Sequence, residues 1–360
     1  NEQIKTLKNE KNKEQTRKDI DDSLDKLGLD KIDLYLIHNP MNIEDYKNRK
    51  RQGVLEALKG AKNEGLIENV GISCDYTEPL ELAIQDDVDV IMTHYNVGNT
   101  LSERVIDKAY RKNIGIIAAK PFAGGILVDS GTEIEEGRKN NLTPEKSLNF
   151  VLSNKKISTA LVGARYPWQI EECANTGKSF NCDKIKREKI KEEVFAFLGN
   201  NFCRDCRYCW PCEELGYDFN IPEILRFLDR YEKYNYKRFP RLGFSKLPYR
   251  DRITDFNECD VSCPFGVDIQ KRLKDAQNKL SLKVTKSEWL GRINKFNFDD
   301  VESIRKDLED MELEEIINYL HVNLIPNEKI SEAFGMFLTE GFHSFGKKEV
   351  MRLLGEINDL

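Results

Sequence analysis

Between residues 17 and 178, short continuous apolar runs alternate with segments whose apolar positions recur every three or four residues. The runs Ile32–Ile37, Val70–Ser73, Val88–Thr93, Gly115–Ala119 and Thr159–Val162 lack the alternation of a strand with one wet face. They predict parallel strands buried on both sides. The periodic segments Thr16–Leu27, Gly53–Glu64, Glu78–Ile84, Ser102–Lys112 and Pro144–Asn154 predict amphipathic helices between them. The last carries Thr143 as N-cap and Pro144 at the first helical position, where a missing N–H costs nothing. Strand and helix in regular alternation define an α/β chain with a parallel sheet.

The pattern changes after residue 180. A charged helical connector, Asp183–Leu198, leads into a cysteine-rich stretch with short helices such as Ile221–Tyr231 and a basic, aromatic segment, Tyr234–Phe244. Residues 280–360 read as helical, polar and free of catalytic punctuation. The expected domains are 1–180, 181–279 and a helical C-terminal extension, 280–360.

Composition narrows the function classes. The chain has 360 residues, 39% hydrophobic and 33% charged, and a formal net charge of −6 with both signs interspersed. That balance gives no reason to expect nucleic acid as a partner. No apolar run approaches the roughly 20 residues of a membrane span, and no signal peptide is visible. Nine cysteines suit a reducing cytoplasm and an anaerobic cell.

Four of those cysteines form the run Cys203-Arg-Asp-Cys206-Arg-Tyr-Cys209-Trp-Pro-Cys212, and a Cys263-Pro264 pair follows. Thiolates at two-residue intervals with a distant Cys-Pro form the ferredoxin pattern of a [4Fe–4S] cluster. Zinc and simple disulfides or free thiols are the alternatives, although zinc favours separated Cys-x-x-Cys pairs or His partners. In two-cluster ferredoxins each run lends its last Cys to the other cluster. By that rule Cys203, Cys206, Cys209 and Cys263 complete one cluster. The second site would retain Cys212 and Cys259, with Ile253 and Phe256 where its other ligands would stand, so one cluster is expected rather than two.

Six motifs share an order. Ser23-Leu-Asp-Lys-Leu-Gly28 precedes Lys31-Ile-Asp-Leu-Tyr-Leu-Ile-His38, and Asn69-Val-Gly-Ile-Ser73 follows. Then come His94-Tyr-Asn96, Ala119-Lys-Pro-Phe-Ala-Gly-Gly125, and Leu161-Val-Gly163 with Gln169 and Glu171-Glu172. In this order they resemble the aldo-keto reductase family, in the subgroup with a C-terminal ferredoxin-like extension. The resemblance covers roughly residues 16–275. It implies a (β/α)8 TIM barrel, of which about the last five β/α units are expected here, followed by a small α-helical ferredoxin-like iron–sulfur domain. It also implies hydride transfer from NADP(H) to the carbonyl of a small molecule.

The family's tetrad is an Asp, a Tyr that donates a proton, a Lys that lowers the Tyr pKa, and a His that orients substrate. His38, at the end of an apolar strand, matches that His. The other three belong on earlier strands, and the chain begins at Asn1 rather than Met, so an N-terminally shortened reductase is expected. Cofactor positions carried over by resemblance are Ser73 and Cys74, His94 in place of a usual Gln, and the loop residues Pro121, Phe122, Gly124 and Gly125. Gly163, Arg165, Gln169 and Glu172 match the adenosine end, with Cys173 where an Asn is usual. His94 can hydrogen-bond a nicotinamide or titrate near neutrality. The basic segment Tyr234–Phe244 offers a dock for an acidic redox partner such as a ferredoxin, with a solvated surface as the plain alternative. Two rival readings stand beside the reductase: a non-catalytic electron-transfer or redox-sensing protein on a degenerate barrel, and a subunit whose missing strands come from a separate polypeptide.

Overall fold

The computed structural model describes residues 4–7, 12–128, 142–164, 166–180, 183–209, 219–234, 238–245, 247 and 262–280. The chain divides into two compact units, Asn1–Tyr208 and Cys209–Leu360. The expected extension 280–360 lies outside the described residues except for Leu280.

The first unit is built on a six-stranded sheet in the order β1-β2-β3-β4-β5-β6, every neighbouring pair parallel. The strands are β1 (Ile4–Leu7), β2 (Ile32–His38), β3 (Ile67–Ser73), β4 (Val90–His94), β5 (Gly115–Ala119) and β6 (Thr159–Leu161). Five of them are the predicted runs, with ends shifted: β4 starts at Val90 rather than Val88 and extends to His94, and β6 stops at Leu161. β1 is an addition. Ile4-Lys5-Thr6-Leu7 is too short and too polar to stand out as an apolar run, and pairing with β2 makes it a strand.

Helices cross over between the strands, α1 (Lys13–Leu27), α2 (Ile43–Arg51), α3 (Val54–Asn63), α4 (Thr77–Gln85), α5 (Glu103–Arg111) and α6 (Pro144–Leu152), and α7 (Pro167–Lys178) and α8 (Lys184–Leu198) follow the last strand. α1 is fixed at both ends. Asn12 and Gln15 form a capping box, and Gly28 closes the C-terminus in the left-handed region at φ 63°. Thr143 accepts from Lys146 N and caps α6 as predicted.

Strand residues on one side face the helices; Tyr35, for example, brings its hydroxyl to 3.4 Å from Ser23 on α1. Residues two apart share a face. On the other side Leu34, Leu36, Met92 and Ile117 form a buried cluster, with Val90 and Ala119 packed against it. β3 contributes Gly71 there. A Cβ on Gly71 would sit 2.4 Å from Val90 O and 2.6 Å from Leu36 Cδ2, so the close approach of these strands requires glycine.

α8 belongs to this first unit rather than to a separate linker. Its Arg187 lies 3.8 Å over the Phe150 ring of α6 and donates to Phe150 O and Tyr95 Oη. In the second unit, α9 (Ile221–Lys233) packs with α11 (Ile269–Leu280). Arg272 of α11, 4% exposed, ion-pairs with the fully buried Asp229 and with Glu232 of α9. The segment read as basic and aromatic contains a further helix, α10 (Arg238–Ser245).

Candidate functional site

Alternation along neighbouring strands gathers three of the predicted residues. The register pairs Leu36 with Gly71 and His38 with Ser73. It then pairs Ser73 with Met92 and His94 with Ala119. His38, Ser73 and His94 therefore lie on the same face as the apolar cluster, at the C-terminal end of the sheet. Parallel β/α folds place their reacting groups at this end, where loops are free to vary above a rigid base.

The loops there are tied together by polar contacts. Arg49 donates to His38 O at 2.8 Å, and Asn39 Nδ2's partner oxygen, Oδ1, accepts from Asp75 N at 2.9 Å. His94 is 7% exposed, and its Nε2 lies 2.8 Å from Asp75 Oδ1. Its Nδ1 is buried with no hydrogen-bond partner among the described residues. Ser102 Oγ donates to His94 O at 2.8 Å and fixes the strand end. Burial opposes the charge on Asp75. Even so, the hydrogen bond from His94 and the charges of His94, Arg207 and Lys120 hold its carboxyl below the usual range.

The cysteine run supplies the other half of this network. Residues 201–208 belong to the first unit. Asp205, 1% exposed, accepts from Lys120 Nζ at 2.6 Å. Arg207 Nε stands 3.8 Å from Asp75 Oδ2 and 3.9 Å from Asp205 Oδ1. The hydroxyl of Tyr76 donates to Arg207 O, and Tyr208 Oη accepts from Thr77 N. The rings of Tyr76 and Tyr208 meet edge-on at 5.3 Å. Burial pushes the Lys120 ammonium pKa down, against the pull of Asp205. Four of the residues involved are non-glycine with left-handed backbone: Asn39 (φ 42°), Lys120 (φ 50°), Asp205 (φ 51°) and Arg207 (φ 63°).

The remaining expected positions are more dispersed. Cys74 is 1% exposed, and its Sγ donates to Pro40 O at 3.2 Å, with burial pushing its thiol pKa upward. It is a packed, neutral thiol. Pro121 is buried, and the turn after it bonds to itself, Gly125 N to Phe122 O at 2.8 Å and Leu127 N to Phe122 O at 3.2 Å. Gly124 (φ 64°) and Gly125 (φ 90°) are required by that turn whatever else the loop does. Gly163 is exposed, and a Cβ there would meet nothing within 4 Å. Gln169 caps α7 by accepting from Tyr166 N at 3.1 Å, and Glu172 is exposed on the same helix. Arg165 lies outside the described residues.

Cys203, Cys206 and Cys209 are buried, and Cys263 is half-buried. Among the described residues no three His, Cys, Asp or Glu side chains gather as a metal site. Cys212 and Cys259 lie outside the described residues. No helix among the described residues is long and apolar enough to cross a membrane.

The residues that sequence reasoning missed are Asp75, Lys120, Asp205 and Arg207. Lys120 sits inside a quoted motif and Asp205 inside the cysteine run, but nothing in either stretch announces that they meet.

A parallel α/β sheet with polar groups collected at its C-terminal end is the architecture of many small-molecule enzymes. The particular likeness is to one family: residues 2–178, a little under half of the chain, match the model of the Aldo/keto reductase family. L-galactose dehydrogenase of Arabidopsis thaliana is 31% identical over 44% of this chain and 56% of its own length. D-threo-aldose 1-dehydrogenase of a Pseudomonas species is 28% identical over 32% of this chain and 35% of its own. Among solved structures, the holo form of aldo-keto reductase AKR11C1 from Bacillus halodurans is 20% identical with a TM-score of 0.45, covering 53% of this chain and 70% of that one. The chain thus spans about half the length of the curated relatives it matches.

Proposed function

We propose that the protein of which this chain is at least a part is an oxidoreductase of the aldo-keto reductase type, passing a hydride between NADP(H) and a small-molecule carbonyl in a (β/α)8 barrel. The observation that carries the reading is the placement of His38, Ser73 and His94 on one face, at the C-terminal ends of three neighbouring strands. The family match over residues 2–178 supports it.

The nicotinamide supplies the hydride when bound. The chain's own residues would then hold and orient. Ser73 and His94 have side-chain groups suited to a carboxamide. The open backbone at Gly163 and the exposed first turns of α7 suit the adenosine end, with Gln169, Glu172 and Arg165 as candidate contacts. Cys74, with its thiol committed to Pro40 O, is a poor contact. His38 orients the carbonyl, whose developing oxyanion needs a donor.

The thiol spacing favours a [4Fe–4S] cluster on Cys203, Cys206, Cys209 and Cys263 in a ferredoxin-like domain. Thiolate is the donor such a cluster takes, yet the described residues do not assemble three of them, so no step of the reaction is routed through it. A cytoplasmic location and an acidic redox partner at Tyr234–Phe244 are parts of the same proposal.

A titration of the full-length protein with NADPH, followed by nicotinamide fluorescence, tests the reading. Saturable binding and oxidation of NADPH by aldehydes are expected. Absence of binding would favour the non-catalytic electron-transfer alternative. The ties of Asp205 to Lys120 and of Arg207 to Asp75, which link the cysteine run to the strand ends, are compatible with that alternative.

A further inference from the structure

We propose that residues 202–208 of the cysteine run form a strap that clamps the loops after β3, β4 and β5, with Asp205 and Arg207 as the positioning residues through which it preorganises the cofactor's end of the sheet. The inference rests on the NADP(H) reading above. It gives that site a support drawn from outside residues 2–178, the part of the chain that matches the family.

The strap reaches three consecutive loops, and all of its contacts there lie within the first unit, Asn1–Tyr208. Beyond β3, Arg207 Nε stands 3.8 Å from Asp75 Oδ2, the Tyr76 hydroxyl donates to Arg207 O at 3.3 Å, and Thr77 N donates to Tyr208 Oη at 3.3 Å. Beyond β4, the fully buried Phe202 packs on Gly98, where a Cβ would sit 3.1 Å from its ring. Beyond β5, Lys120 Nζ donates to Asp205 Oδ2 at 2.6 Å. Asn96 Nδ2 ties the last two loops to each other by donating to Lys120 O at 2.9 Å. Phe195 of α8 meets Phe202 edge-on at 5.9 Å and anchors the start of the strap.

The positions carried over for the cofactor adjoin these tie points. Ser73 precedes Asp75 by two residues, and Lys120 directly precedes Pro121 and the turn to Gly125. Lys120 (φ 50°) and Ala123 (φ 45°) hold that turn in left-handed backbone although each carries a Cβ. Such backbone persists only where its surroundings over-determine it, and it gathers where a loop must stand ready for a ligand. Asp205, 1% exposed, supplies the constraint at Lys120. A loop already in its binding geometry spares the ligand the cost of ordering it, so cofactor binding and strap closure reinforce each other. Linkage makes the effect reciprocal: bound NADPH holds the strap down by the same factor by which the strap tightens NADPH.

The test follows hydrogen exchange by mass spectrometry in the full-length protein, with and without saturating NADPH. Exchange in peptides spanning residues 75–77 and 202–208 should slow about fivefold or more with NADPH, the lower end of an ordinary coupling between two sites. Arg207 is 33% exposed and its ion pairs are long, so Arg207→Gln should leave the melting temperature nearly unchanged. Its NADPH dissociation constant should nevertheless rise about two- to fivefold, and Arg207→Lys should restore it. With 4-nitrobenzaldehyde as the probe carbonyl, the same variant should raise KM for NADPH and leave kcat close to wild type. Asp205→Asn should weaken NADPH further, about tenfold, as the turn at Lys120 loses its anchor. Exchange unaltered by bound NADPH would overturn the strap and leave the reductase reading standing. Faster exchange would show the run competing with the cofactor and would overturn it equally. A wild-type dissociation constant in both variants would remove the positioning role, and failure of the wild type to bind NADPH would remove both readings. The comparison with and without NADPH needs no variant, so it decides the matter even where a substitution prevents folding.

Discussion

Replacing Asp205 by Asn tests whether the cysteine run is bound to the sheet through charge. The side chain keeps its shape and loses its anion, leaving the Lys120 ammonium, 25% exposed, against a buried amide. Removing one member of a buried pair costs about 3–5 kcal/mol, most of it from the stranded partner. The partial exposure of Lys120 places the expectation near the lower end, about 3 kcal/mol. The chain has two units, so the local opening of this region is the quantity to measure, and hydrogen exchange read by mass spectrometry reports it. Peptides spanning Gly115–Ala119 and 201–208 should exchange roughly 150-fold faster, at about 1.4 kcal/mol per tenfold. The effect should depend on pH with a definite sign. Burial already lowers the Lys120 pKa, and loss of Asp205 removes an influence that raised it. The unfolded lysine, near 10.4, then binds more protons than the native one over a wider range, so the variant gains stability as pH rises. The deficit should be largest near neutrality and shrink toward pH ~10. A change below about fivefold, independent of pH, would show the pair to be solvated like a surface bridge and would refute the reasoning.

Two further outcomes follow from packing. Gly71→Ala forces a methyl against Val90 O and the Leu36 side chain at the centre of the sheet, so a loss of about 1–3 kcal/mol or more is expected in thermal unfolding; an unchanged melting temperature would mean that the strands do not approach this closely. Cys74, sealed and neutral, should resist thiol reagents in the native protein while half-buried Cys173 labels, as peptide mapping can resolve; equal labelling rates would contradict the burial.

Much of the sheet could be read from the sequence because buried parallel strands are written as continuous apolar runs. β1 could not, since four residues of mixed polarity become a strand through pairing with β2. α2 escaped for a related reason. Its sequence, Ile43-Glu-Asp-Tyr-Lys-Asn-Arg-Lys-Arg51, is polar almost all round, and it is secured by the Asn42 cap and by burial of Tyr46 and Arg49. At the site, His38 was legible as a polar residue ending an apolar run, and Ser73 and His94 through the motifs that resemble the aldo-keto reductase family. Asp75, Lys120, Asp205 and Arg207 were not, because their meaning is tertiary: Lys120 and Asp205 meet across 85 residues of chain. The thiol spacing could be read at once, whereas an assembled set of metal ligands is not present among the described residues.

The left-handed backbone at Asn39, Lys120, Asp205 and Arg207 sets two kinds of selection against each other. Each residue carries a Cβ where the chain would be more relaxed without one, at about 1–2 kcal/mol apiece. A screen for heat resistance alone would drift toward glycine at Arg207, whose ion pairs are long, while the Lys120–Asp205 pair outweighs the backbone relief at its own two positions. Retention of Arg207 under selection for activity, and its loss when that selection is lifted, would mark this corner as the part of the molecule where robustness and chemistry compete most directly.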